Sequence, residues 1–190
     1  MRNMRTTRLA ILSGMLVLAA ALPVAAQTGP PGGGGSTMPP ETSCPMITVS
    51  GVEKPTELSR SRFSAVETPD LVFHVMFPWE ITEDLVVTLK VYTPHGHLYR
   101  TLDVPVAPPK GTEITGNTTR RLPGYPYPVR VKTPRNVTYN DRRYQTVDVS
   151  LPVAGSVIVT SSLYGQWSVE VIMDGASTPC PERTRFVIFQ

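Results

Sequence analysis

Few residues of this 190-residue chain stand at spacings that suggest chemistry. The best metal-ligand spacing is His95-Gly96-His97, two imidazoles one residue apart that could share an ion from a turn or strand edge. A plainer reading competes with it: Thr93-Pro94-His95-Gly96 has the composition of a turn between two strands. A copper site of the cupredoxin kind needs a cysteine close to a histidine, and Pro179-Cys180-Pro181 offers none. The calcium-loop alternation of Asp/Asn about a central Gly is absent as well. The chain is therefore expected to hold no metal and no cofactor. His74, between Val72 and Met76 on an apolar strand, reads as a half-buried, hydrogen-bonded residue at the edge of the core.

Glu80, Glu83 and Asp84 cluster after Trp79. Paired carboxylates can perform acid–base work on a glycoside, and an exposed indole can stack on a sugar ring. These four residues carry the alternative reading of a carbohydrate-binding or carbohydrate-active protein. Their other reading is a solvated connection between strands, with Trp79 capping the core. No G-x-S-x-G nucleophile elbow occurs, and no catalytic residue is assigned; the expectation is a non-enzymatic protein.

The strongest binding candidate is a basic segment at about 105–143. Lys110, Arg120, Arg121, Arg130, Lys132, Arg135, Arg142 and Arg143 stand there against Glu113 and Asp141, a net of +6. Seven prolines run through it, with Tyr125 and Tyr127 among them. Arginine and tyrosine are enriched at interaction hot spots, and an extended proline-rich chain has little entropy left to lose on recognition. Arg120, Arg121, Tyr125, Tyr127, Arg130, Lys132, Arg135, Arg142 and Arg143 are the expected binding residues, for a protein or an anionic glycan at the envelope or outside the cell. The competing reading is a mobile, irregular loop whose charge offsets an acidic remainder. Asn117-Thr118-Thr119 and Asn136-Val137-Thr138 match the N-glycosylation pattern, relevant only in a eukaryotic secretory route.

Residues 1–26 have the layout of a cleavable secretory signal. Arg2, Arg5 and Arg8 precede an apolar run from Leu9 to Leu22, and Val24-Ala25-Ala26 supplies small residues for a peptidase. That run is shorter than the ~20 residues a spanning helix needs, so no membrane span is expected after cleavage. The first cysteine is Cys44, too far downstream for a lipid anchor. Three of the 18 Lys+Arg lie in this segment, which leaves 15 against 15 Asp+Glu. The basic balance thus belongs to the export signal and argues against nucleic-acid binding. Residues 27–41, rich in Gly and Pro, read as a flexible linker, and residues 42–190 have the length of a single domain.

Cys44 and Cys180 form an even pair, each bordered by proline. In an exported chain such a pair is expected to be a disulfide, closing a span of 136 residues and clamping the first strand to the segment before the last. Metal binding is the competing use, but neither cysteine has a histidine or second cysteine nearby.

The elements that must position these residues are strands. Period-two alternation runs through Leu71–Phe77, Leu85–Val91, Val147–Val153 and Trp167–Met173, and more weakly through Ile47–Val49, Leu98–Val104, Val129–Val131, Val157–Val159 and Arg185–Phe189. No stretch carries a convincing amphipathic helix, and 20 prolines oppose long ones. Seven to nine short strands, each with one apolar and one mixed face, point to an all-β, antiparallel β-sandwich. Gly165-Gln166-Trp167-Ser168-Val169-Glu170-Val171, followed by Asp174-Gly175, resembles the penultimate strand of immunoglobulin-like sandwiches in exported bacterial proteins. The resemblance implies an Ig-like fold and no particular activity. Unlike antibody domains, the chain has its cysteines near its two ends.

Overall fold

Apolar side chains at every second position give each strand one face to bury, and this decides where the strands lie. The computed structural model describes residues 44–51, 58–108, 118–174 and 176–190. The expected signal peptide (1–26) and linker (27–41) lie outside the described residues, as do Lys110, Glu113, Asn117 and Gly175. The described part is nearly all-β: β1 (Met46–Gly51), β2 (Arg62–Ser64), β3 (Asp70–Phe77), β4 (Leu85–Tyr92), β5 (Leu98–Val106), β6 (Thr119–Arg120), β7 (Val129–Arg130), β8 (Arg135–Tyr139), β9 (Arg142–Pro152), one short helix α1 (Val157–Thr160), β10 (Gly165–Met173) and β11 (Thr184–Phe189). No helix among the described residues is long and apolar enough to cross a membrane.

A first sheet has strand order β1-β3-β9-β8 and a second has β2-β11-β10-β4-β5, while β6 and β7 pair separately. All pairings are antiparallel except β2 with β11, which is parallel. One core cluster draws Leu71, Phe73, Val75 and Phe77 of β3 and Val147, Val149 and Leu151 of β9 from the first sheet. From the second it takes Val87, Leu89 and Val91 of β4, Trp167, Val169 and Val171 of β10, and Phe186 and Ile188 of β11. Phe186 sits between the sheets, with ring centroids 5.8 Å from Phe73 and 6.3 Å from Trp167. Trp167 is fully buried, and its indole N–H donates to the Leu163 carbonyl at 3.0 Å, so its one polar atom is satisfied. Gly165 opens β10 at φ +133°, where an added Cβ would meet the Pro94 ring at 3.0 Å. Only glycine fits that backbone and that approach.

Three expectations are corrected. Among the described residues eleven strands are present rather than seven to nine, because β2 is too short to show alternation and β6 and β8 arise inside the segment at 105–143 that reads as an irregular loop, where only β7 matches an expected strand, Val129–Val131. Backbone pairing forms them without the apolar alternation that marks a two-faced strand; β8 alternates only weakly, with Val137 and Tyr139 half-buried. Val157–Val159 is helix rather than strand: Gly155 at φ +68° turns the chain, and the Ser156 hydroxyl caps the turn by accepting from Ile158 N at 3.2 Å. Finally, β3 is buried on both faces, Val72, His74 and Met76 included, instead of presenting one mixed face.

Cys44 and Cys180 are disulfide-bonded, with Cα atoms 5.9 Å apart and 136 residues between them. Cys44 leads into β1 of the first sheet, and Cys180 donates its amide to the Val171 carbonyl of β10 in the second, at 2.7 Å. The Thr184 hydroxyl adds a bond to the Ile47 carbonyl at 3.0 Å. The covalent bridge therefore fastens the first strand of one sheet to the penultimate strand of the other. By the chain-entropy model it stabilises by about 5 kcal/mol.

Replacing Cys44 and Cys180 together by serine is expected to lower unfolding free energy by about 2–5 kcal/mol in denaturant titration. Mass spectrometry of the unreduced, digested chain is expected to show the two cysteine peptides joined. Two free thiols would contradict the bridge.

Candidate functional site

At its β8–β9 end the first sheet extends past the core. Val147, Val149 and Leu151 of β9 face the core, so period two places Arg143 and Gln145 on the same side. The register pairs these with Thr138 and Asn136 of β8. Four polar side chains thus line an inner face where a core would otherwise continue. Opposite them the connection after β3 carries Pro78, Trp79 and Glu80, and between the two lies an open groove of about 610 Å³.

Local contacts hold the groove walls in place. Gln145 Oε1 accepts from Ile81 N at 2.8 Å, tying β9 to the 78–81 connection. Trp79 is half-buried, packed edge-to-face on Phe77 with ring centroids 5.4 Å apart. It therefore caps the end of the core and lines the groove at once. Of the three carboxylates that follow it in sequence, Glu80 lines the groove. Asp84 is turned to Arg120, with Arg120 Nη1 donating to Asp84 Oδ1 at 2.7 Å, and Glu83 stays exposed outside the lining. The groove lining contains one carboxylate rather than the opposed pair that glycoside hydrolysis uses.

The nine basic and tyrosine residues expected to bind divide between two places. Those at 118–132 fold back along the end of the second sheet. Leu122 and Val131 bury with Ala107 in a small second cluster, joined by Val86, Tyr125 and Val129, and Lys132 exchanges backbone bonds with Pro105 and Ala107. Arg120 is held by Asp84 and the Pro108 carbonyl, its side chain 10% exposed. Tyr125 is half-buried; burial pushes its phenol above the usual range, and the charges of Asp103 and Asp174 add to this. Arg121, Tyr127 and Arg130 stand out into solvent, Tyr127 at 77% exposure between Pro126 and Pro128. Arg135, Arg142 and Arg143 belong instead to the β8–β9 hairpin, and Arg143 alone of the nine lines the groove.

His95 and His97 occupy the β4–β5 turn, closed by Gly96 N to Thr93 O at 2.9 Å and His97 N to Thr93 Oγ1 at 3.2 Å. Among the described residues no three potential ligands gather around a metal-sized site.

The outer face of the first sheet holds an array that sequence reasoning did not assemble. Ser50 of β1, His74 of β3 and Asp148 of β9 lie side by side: Ser50 Oγ is 2.8 Å from His74 Nε2, and His74 Nδ1 is 2.7 Å from Asp148 Oδ1. Arg135 of β8 adds a bond to Asp148 Oδ2 at 3.0 Å. An ionised carboxylate only accepts, which places a proton on Nδ1; in the neutral ring Nε2 then accepts from the Ser50 hydroxyl. The connectivity is that of a hydrolase triad, yet Ser50 is 0% and His74 2% exposed, so the hydroxyl presents no face to a substrate. The array laces all four strands of the sheet through one line of polar contacts. His74 is thus hydrogen-bonded as its sequence context suggests, but fully rather than half buried. No signal in the sequence brings Ser50 and Asp148 to it, because that requires the register of three strands.

Comparison with protein-family models, curated proteins and solved structures gives no match.

Burial raises the Asp148 carboxyl, but the His74 and Arg135 partners outweigh it and hold the group below its usual value. A depressed carboxylate contributes stability that is present above the unfolded-state value and lost as pH falls through the folded one. Asp148→Ala is expected to cost about 1–3 kcal/mol at neutral pH, since it strands a buried imidazole N–H. The difference from wild type should narrow below about pH 4. Denaturant midpoints measured from pH 7 to pH 3 check this; a gap independent of pH would contradict it.

Proposed function

We propose that the chain is an exported, non-enzymatic module with an Ig-like β-sandwich fold, and that it binds another macromolecule through the groove at the β8–β9 end of its first sheet. One observation carries the reading: at that end an inner sheet face is left uncovered and is lined by Arg143, Asn136, Thr138 and Gln145 opposite Trp79. A buried strand face is apolar, whereas a recognition surface combines an aromatic anchor with a few fixed polar groups. The exported character is supported by the layout of residues 1–26 and by the Cys44–Cys180 bond, which suits an oxidising compartment, periplasmic or extracellular. The sandwich is supported by the core that the two sheets share, and the Ig-like assignment by the Gly165–Met173 strand with its inward Trp167. The partner is a protein or an anionic glycan of the envelope or the exterior. A neutral balance of charge without the N-terminal arginines supports no nucleic-acid role.

The carbohydrate reading keeps specific support from Trp79 and Glu80, which line the same groove. It takes the form of a binding module, since Glu83 and Asp84 stand apart from Glu80.

The paired variant Arg142→Gln/Arg143→Gln is expected to weaken capture of an acidic polypeptide or a sulfated glycan by about tenfold. Wild-type capture should fall with added salt. The paired control Arg121→Gln/Arg130→Gln should leave capture unchanged. Surface plasmon resonance against both ligand classes and an array of neutral oligosaccharides reads this out. If the control pair abolished binding while the Arg142/Arg143 pair did not, the site would move to the 118–132 segment and the groove reading would fail.

A further inference from the structure

We propose that β8 is a docking strand, and that an extended, acidic polypeptide segment adds beside it to the first sheet, main chain to main chain. This rests on the groove being the binding site and names the class of partner it takes. In the sheet order β8 is terminal and, among the described residues, pairs only with β9, which leaves one side of its backbone to template another strand. The opposite edge of that sheet is already engaged, with Val49 O accepting from Arg60 N at 2.7 Å and Ile47 O from the Thr184 hydroxyl at 3.0 Å. In the second sheet, the end of β5 is closed by the backbone bonds of Pro105 and Ala107 to Lys132. Of the edge strands, β8 is the one that lines the groove.

The hairpin turn settles which backbone groups are free. Asn140 and Asp141, at φ 47° and 59°, form the two-residue connection with both residues in the left-handed region. In such a hairpin the residues flanking the turn, Tyr139 and Arg142, exchange hydrogen bonds, and alternate pairs along the ladder repeat this. Tyr139, Val137 and Arg135 therefore spend their N–H and C=O groups on β9. Asn136 and Thr138 point theirs outward. These are the same two residues whose side chains lie on the groove face, so a segment bonded to their backbone would lay every second side chain against Arg143, Gln145 and Trp79.

Charge selects the occupant. From Arg130 to Arg143 the chain carries five basic residues against Asp141. Arg135 is committed to Asp148, while Arg142 and Arg143 are exposed and in no ion pair among the described residues. A second copy would bring the same basic residues to one seam, where like charges repel. An acidic segment would neutralise them.

The test uses the intact, disulfide-bonded chain and fluorescence anisotropy. The probes are a short labelled L-peptide alternating Glu and Val, its D-enantiomer, and a sulfated glycan. A D-backbone cannot follow the right-handed twist of the sheet, so the L-peptide is expected to bind about tenfold or more tighter than the D-peptide. Thr138→Pro removes one outward N–H and no bond to β9; it should weaken L-peptide binding to a similar degree while its denaturant midpoint stays close to that of the wild type. Equal binding of both enantiomers, lost on Arg142→Gln/Arg143→Gln, would overturn strand addition and leave the groove reading intact. So would binding of the glycan without either peptide. Concentration-dependent dimers in sedimentation, abolished by Thr138→Pro, would assign the edge to a second copy and overturn the acidic partner. No binding of any probe would sink both readings.

Discussion

The structure depends on burying the inner faces of two sheets in one core. Phe186 sits between Phe73 of the first sheet and Trp167 of the second, with Tyr99 closing edge-to-face on Trp167 at 5.2 Å. Losing an aromatic ring of this kind costs about 3–5 kcal/mol, a large share of the stability of an average domain. Every other feature is arranged around this contact. The disulfide and the Thr184–Ile47 bond fasten the sheets at one end, and the groove opens where the first sheet outruns the core.

Polar groups that cannot reach water are mostly satisfied in short arrays on the outer faces, the buried Thr146 hydroxyl being an exception among the described residues. In the first sheet Ser50, His74, Asp148 and Arg135 use one another's donors and acceptors. In the second, Glu170, 5% exposed, accepts from the Tyr92 hydroxyl at 2.6 Å and from Arg183, whose guanidinium lies over the Tyr92 ring. Buried polar groups of this kind contribute little net energy but penalise any other register, because each would then lose its partner. The apolar core favours two packed sheets in general, and the arrays favour this pairing of strands.

Much of this was legible in the residues. β4 and β10 alternate so regularly that Val87, Leu89, Val91, Trp167, Val169 and Val171 are buried as the period requires. The Cys44–Cys180 bond is the one expected of an even cysteine pair. What escaped was whatever depends on register or on edge position. β8 lies at a sheet edge and needs no strong alternation, so a strand formed by backbone bonds reads as loop. Arg120 and Tyr125 read as binding residues from their types, yet Asp84 and the second cluster absorb them, a long-range outcome with no local sign. The Trp79 cluster divided for the same reason, Asp84 being drawn to Arg120 while Glu80 and Glu83 stay exposed.

The proposed recognition site lies where the uncovered inner face of the first sheet meets the β8 edge. Backbone amide NMR of the isotope-labelled chain during titration with an acidic L-peptide addresses it residue by residue. Shifts are expected to concentrate at Asn136–Gln145 and the Trp79 indole, with the outward amides of Asn136 and Thr138 gaining protection from solvent exchange. Shifts centred on Arg121, Tyr127 and Arg130, with β8 unmoved, would contradict it.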